Sequence, residues 1–382
     1  MGKRILYIGG FNLPDNNAAA QRVIANSKLF CSLGNDMMLI GLTSDVTCAK
    51  SSFVYEGLRC TNLPYPQNMK EWSCYLTSIK MYREYLEKFE PDILIAYNHP
   101  SIALDKLRKY CKVKAIKIIS DCTEWYMPQG TLYFKIIKGL DISYRMKVVH
   151  KKLDGIIVIS EYLNNYYSKC NNVLLLPPLV DRYDEKWRHE NLQDLSDKYK
   201  LVYAGSPGKG NKDRLDIIIK VLERVKSSLG ISLEFDVIGI TLEEYHSIYS
   251  VNSVIPPDFI HFLGRINHSE VLCKLSKSDF QIFIREKNIA NTAGFPTKFV
   301  ESVSSKVLVL TNFSSDLSKY LIEGKNGYSL DIETEASLYN SLMKVLNKPL
   351  EEIRELKKGI NSGIFDYREY IAKTRDFLNS LI

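Results

Sequence analysis

Short runs of Ile, Leu and Val, almost free of polar residues, recur along the chain and are separated by stretches with helical periodicity. In the first half they are RILYIG (4–9), MMLIGLT (37–43), DILIAY (92–97), AIKIIS (115–120), GIIVIS (155–160) and VLLLPP (173–178). After residue 200 the pattern restarts with LVYAG (201–205), EFDVIG (234–239), FIHFLG (259–264), DFQIFI (279–284) and KVLVLT (306–311). A strand that is apolar at nearly every position is covered on both faces, so these runs predict parallel sheets with helices on either side. Between the two sets lies VDRYDEKWRHENLQDLSDKYK (180–200), polar, highly charged and preceded by two prolines. It reads as a linker or the approach to a second domain.

A chain of 382 residues exceeds the size at which a single core usually stops growing. The expected fold is therefore α/β, with two doubly wound, Rossmann-like domains in tandem: residues 1–180 and residues 181–364. Such sheets bind ligands at the carboxyl ends of their strands, here in the crevice between the domains. Neither glycine loop that follows a first strand, GGFNLPDN or GSPGKGNK, has the Gly-x-Gly-x-x-Gly spacing, which disfavours a nicotinamide dehydrogenase.

Composition narrows the partners. The chain is 45% hydrophobic and 25% charged, as in ordinary globular proteins, and its net charge of +7 favours acidic partners such as nucleotides or an anionic membrane surface. That excess is too small and too dispersed to argue for nucleic acid. The eight cysteines contain no Cys-x-x-Cys pair and fit reduced thiols in a cytoplasmic protein. The apolar run at the N-terminus is too short for a signal peptide, and no window approaches the roughly 20 apolar residues of a membrane span. With no Asp-x-Asp motif and no histidine pair at ligand spacing, neither a metal nor another cofactor is expected.

The stretch NTAGFPTKFVES (291–302) carries the most chemistry. Gly294, Phe295 and Pro296 form a turn that leads into a helix starting at Thr297; glycine permits close backbone approach, and proline suits a first helical turn. Backbone amides at such a terminus accept a phosphate, Lys298 adds a point charge, and Glu301 can accept hydrogen bonds from a vicinal diol such as ribose. Ordinary helix preferences explain the same residues without a ligand. Gly205, ending YAG before a loop and helix, is a second place to hold a phosphate.

AGFPTKFVES, followed by KVLVLTN and EGKNGYSL, resembles the retaining GT-B glycosyltransferases, specifically glycosyltransferase family 4 of the bacterial capsule and exopolysaccharide type. The resemblance implies a Glu-x7-Glu motif whose second glutamate, Glu301, binds ribose. The first glutamate, which contacts the donor sugar, is replaced by Ala293. It further implies that basic residues neutralise the donor diphosphate, with Lys212 the first choice, Lys209 and Arg214 alternatives, and Arg285 a second diphosphate or sugar contact. The first domain is implied to take the acceptor, with Gly9 and Gly10 under the diphosphate or acceptor and Arg22 facing the crevice. The tail after 364 fits the helix that returns to the first domain in this fold.

Where such enzymes often carry a histidine–aspartate pair, this chain has Ser120 and Asp121, with Glu124 three residues on. One of these carboxylates positions the acceptor hydroxyl or takes its proton, or else Asp121 caps a turn. His99, in AYNHPS, is either a crevice residue or a structural histidine. Residues 131–153, with six Lys or Arg and one acid, form either a basic amphipathic helix for anionic lipid or an interior helix with a solvated face. The expected activity is transfer of a sugar from a nucleoside diphosphate donor, UDP-linked, to a glycan or lipid-linked acceptor at the cytoplasmic face of the membrane. The alternatives are a sugar-nucleotide epimerase of the same fold and a non-catalytic nucleotide-binding partner.

Overall fold

A computed structural model describes residues 2–45, 51–128, 130–170, 172–187, 196–207, 212–250 and 256–381. Lys209 lies outside the described residues. The chain divides into two compact units. The first comprises Met1–Val180, Ala293–Phe295 and Asp366–Ile382; the second comprises Asp181–Thr292 and Pro296–Phe365.

Among the described residues the first unit builds one eight-stranded sheet from β1 (Arg4–Gly9), β2 (Asp36–Thr43), β3 (Ser52–Tyr55), β4 (Leu58–Pro64), β5 (Ile93–Tyr97), β6 (Lys117–Cys122), β7 (Gly155–Val158) and β8 (Asn172–Leu175). The spatial order is β3-β4-β2-β1-β5-β6-β7-β8, parallel throughout except that β3 pairs antiparallel with β4. Successive residues of the central strands feed opposite cores. Ile5, Tyr7, Leu39, Ile95 and Ile119 point into one, and Leu6, Ile8, Ile40, Leu94 and Ile118 into the other. That two-sided burial is why those runs carry no polar alternation. The helix Ile371–Ser380 closes one face: Phe377 joins its core, and a Cβ on Gly155 would come within 2.9 Å of the Phe377 ring.

The second unit holds a six-stranded parallel sheet among its described residues: β9 (Tyr199–Ala204), β10 (Leu233–Ile238), β11 (Ile260–Gly264), β12 (Phe280–Ile282), β13 (Leu308–Thr311) and β14 (Gly327–Ser329). Its order, β11-β10-β9-β12-β13-β14, sets β9 beside β12, so the loops after these two strands emerge side by side.

Residues 131–153 are not one helix. An α-helix over Leu132–Tyr144 passes into a π-helical turn, Arg145–Val149, and a 3-10 turn, His150–Lys152. Leu132, Phe134 and Leu140 are exposed, whereas Arg145, Met146, Val149 and His150 are buried. Within this stretch the exposed apolar side chains lie in Leu132–Tyr144; beyond it Arg145, Met146, Val149, His150 and Leu153 are buried in the first unit while Lys147, Lys151 and Lys152 stay exposed.

Candidate functional site

In the second unit three segments meet beyond the carboxyl end of the sheet. Arg285 follows β12, Asp213 follows the loop after β9, and Lys298 is the second residue of the helix Thr297–Ser304. Asp213 and Arg285 face each other across an isolated antiparallel bridge, and Asn312 fixes the Arg285 backbone by accepting from its N–H at 2.8 Å and donating to its carbonyl at 2.9 Å. The Asp213 carboxylate is buried and fully engaged. Its Oδ1 accepts from Arg285 Nε at 2.9 Å; its Oδ2 lies 2.9 Å from Lys298 Nζ and accepts from the Tyr203 hydroxyl at 2.8 Å. Burial alone would raise the acid's pKa, but the two cations hold it well below the usual carboxylate range. Three buried charges therefore sum to +1, an arrangement suited to an anion.

One predicted role changes here. The Gly205 amide donates to the Ile238 carbonyl at 2.9 Å, so it serves the sheet and not a phosphate. What glycine provides at 205 is room: its φ is +132°, and a Cβ there would lie 2.5 Å from Lys298 Nζ. Lys212 is half-buried and its amide donates to the Pro207 carbonyl at 3.0 Å. Arg214 is taken up by Asp216 and Glu286.

Glu301 sits one turn beyond Lys298 on the same helix, half-buried, with Oε1 3.3 Å from His268 Nε2. His268, the first residue of the helix His268–Lys277, was not singled out from sequence. Its signal there is slight: a histidine just past the predicted strand 259–264. Gly294, Phe295 and Pro296 are buried, Pro296 caps the helix and Thr297 opens it half-buried. Ala293, where the resemblance implies a glutamate, is fully buried and accepts from Ser160 Oγ at 2.7 Å.

In the first unit Asp121 and Arg22, expected to face ligands, face each other. Arg22 Nη2 donates to Asp121 Oδ1 at 2.8 Å and Nε to Oδ2 at 2.9 Å, while Nη1 is held by the Leu176 and Pro177 carbonyls. The Tyr7 hydroxyl also donates to Asp121 Oδ2. Asp121 is fully buried and both its oxygens are engaged by Arg22 and Tyr7, which leaves neither open to an incoming hydroxyl. The structure makes the pair a clamp between the helix Ala18–Ser32 and β6. Gly9 allows β1 and β5 to approach, since a Cβ would meet that of Tyr97 at 2.7 Å, and Gly10 is exposed.

Glu124 keeps its carboxylate outside any ion pair among the described residues and is half-buried beyond the end of β6. His99 lies beyond the end of the neighbouring β5, fully buried, edge-on to the Tyr75 and Tyr82 rings and with neither ring nitrogen hydrogen-bonded among the described residues. Burial, with the nearby Arg145 charge adding to it, lowers its pKa to about 3. Arg145 Nη1 donates to the Asn98 carbonyl at 3.1 Å, while its Nε and Nη2 are buried with no hydrogen-bond partner among the described residues. His150 occupies the interior beside Ser120, its Nε2 3.0 Å from Ser120 Oγ and its Nδ1 2.9 Å from the Tyr167 hydroxyl. Among the described residues, no group of three or more His, Cys, Asp or Glu side chains is placed to hold a metal ion.

Residues 186–361 match the family model of the glycosyl transferases group 1. Solved structures similar over the whole chain include sucrose-phosphate synthase from Thermosynechococcus elongatus, 12% identical, with a TM-score of 0.67 over 99% of each chain. Another is Anabaena HepE in complex with UDP and glucose, 11% identical, with a TM-score of 0.67 over 99% of this chain and 100% of that one. A third is α,α-trehalose 6-phosphate synthase from Burkholderia multivorans, 10% identical, with a TM-score of 0.69 over 100% and 99%. No curated protein matches the chain in sequence. Domain and fold together make the chain a glycosyltransferase of GT-B type.

Proposed function

We propose that the chain is a retaining glycosyltransferase of family 4 that moves a sugar from a UDP-linked donor to a glycan or lipid-linked acceptor in surface polysaccharide synthesis. The observation that carries this reading is the convergence of Arg285 and Lys298 beyond the second sheet, with Glu301 one turn along the same helix. A diphosphate placed there meets fixed positive charge as it leaves, which is how an enzyme lowers the barrier to breaking a glycosyl–phosphate bond. In this reading Glu301 accepts hydrogen bonds from the ribose hydroxyls. The Anabaena relative is a complex with UDP, which favours uridine as the base.

The exposed apolar side chains of Leu132–Tyr144, with the exposed Lys135 among them and the exposed Lys147 beyond their end, support docking on an anionic lipid surface and hence a lipid-linked acceptor. Among the described residues no helix is long and apolar enough to cross a membrane.

Calorimetry with UDP, GDP and ADP tests the donor site. UDP should bind the wild type most tightly, and Glu301→Ala should weaken it at least about tenfold, equivalent to about 1.4 kcal/mol. If no nucleotide binds at millimolar concentration, the donor assignment is wrong. Product analysis by NMR then separates transfer with retained anomeric configuration from epimerisation of the donor.

A further inference from the structure

Resting on the donor-site reading above, we infer that Asp213 is a positioning residue for the donor diphosphate: it fixes the guanidinium of Arg285 so that the terminal nitrogens, and not Nε, meet the phosphate. An arginine offers five N–H donors in a rigid fork, and the edge it presents depends on which donor is already held. Here Nε is held by Asp213 Oδ1 at 2.9 Å, and neither Nη group has a hydrogen-bond partner among the described residues. The guanidinium is further supported by the Phe283 ring, 5.6 Å from its centre. Because the backbones of 213 and 285 are bridged and Tyr203 donates to the same carboxylate, Asp213 has no freedom to follow a moving arginine.

The same acid holds the second cation. Lys298 Nζ sits 2.9 Å from Asp213 Oδ2, over the Tyr203 ring and in the notch left by Gly205. A carboxylate beside a diphosphate is repulsive, so on charge alone this site would bind better without it. Its presence between the two cations is accounted for if orientation outweighs that repulsion. A lysine and an arginine buried side by side with no acid would repel each other and turn apart.

The two effects predict opposite outcomes for Asp213→Asn. If Asp213 orients the cations, the substitution lowers affinity for UDP although it removes a negative charge, and UMP, which lacks the β-phosphate, is affected little. The experiment is calorimetric titration of the purified full chain with UDP and with UMP, alongside thermal unfolding. Wild type should prefer UDP by at least about tenfold; in Asp213→Asn that preference should fall toward unity with UMP affinity within about twofold. A preference that is unchanged or increased overturns the inference, because Asp213 would then be a counter-charge only.

Should Asp213→Asn fail to fold, Arg285→Lys decides. Lysine keeps a cation against Asp213 but has no outward edge, so the melting temperature should stay near wild type while the UDP preference falls about as far. A preference retained in Arg285→Lys overturns the inference equally. Wild type that binds no UDP at all refutes the donor-site reading itself, whereas wild-type binding with unchanged variants refutes only the role of Asp213. With a donor sugar the loss should appear chiefly in KM if the cations bind the ground state, and chiefly in kcat if they meet the leaving diphosphate.

Discussion

Arg22 and Asp121 illustrate how a residue's neighbours decide its role. By sequence both follow patterns that suit a ligand-facing site, yet they form a buried ion pair with side chains 2% and 0% exposed. Breaking such a pair from one side leaves an uncompensated charge, which typically costs about 3–5 kcal/mol. Asp121→Asn should therefore lower the free energy of urea unfolding by about that amount. Were Asp121 the group that accepts the acceptor's proton, the variant would unfold like wild type and lose only turnover. Asp213 is the converse case. It lies next to Lys212 in sequence, but its partners are about 70 and 85 residues away, and only the adjacency of β9 and β12 brings the three together.

At the level of elements, each of the eleven apolar runs read from the sequence becomes a strand; central ones such as β1, β5 and β13 are buried on both faces, which leaves an unbroken apolar signature. The strands that escaped were β3, β4 and β14. β3 alternates exposed with half-buried positions at the sheet edge, β14 is three residues long, and the hairpin between β3 and β4 turns on Glu56 and Gly57, both with positive φ. That Glu-Gly pair was the available signal. In the site, Arg285, Lys298 and Glu301 were legible because a charged residue just past a strand or in a first helical turn has a fixed place in a doubly wound sheet. His268 and Asp213 were not, since their relevance comes from contacts across the fold. The π-turn at Arg145 was also invisible, and it is what ends the exposed apolar surface of Leu132–Tyr144. If that surface docks on lipid, Leu132→Ser, Phe134→Ser and Leu140→Ser together should reduce binding to anionic vesicles at least about tenfold, since burying a large apolar side chain contributes about 1.5–3 kcal/mol. The melting temperature should hardly change, because the three side chains are 75%, 55% and 66% exposed. Equal co-sedimentation of variant and wild type would remove the membrane from the proposal.

For the molecule as a whole, the two buried histidines of the first unit predict how stability responds to acid. Burial, then the charge of Arg145, places the His99 pKa at about 3 against an ordinary 6.5, and the same two causes lower His150. Facing His99 are the Tyr75 and Tyr82 rings, Arg145, and Asp141, whose field opposes the shift. In the folded chain His99 stays neutral down to about pH 3, whereas the unfolded chain takes up the proton near 6.5. Between these values the unfolded state binds more protons, so stability rises with pH and is lost as pH falls through that window. The limiting slope is about 1.4 kcal/mol per pH unit for each such histidine. Asp213 contributes in the same direction at lower pH, because a carboxylate held below its ordinary range loses its stabilising pairs only when finally protonated. The urea midpoint of wild type should therefore fall steadily from pH 7 to pH 4.5, and His99→Gln, which has no proton to gain, should show a shallower fall over that interval whatever its stability at pH 7. Parallel slopes for the two proteins would mean that His99 is open to protonation in the folded state, and its assignment as a neutral interior group would have to be withdrawn.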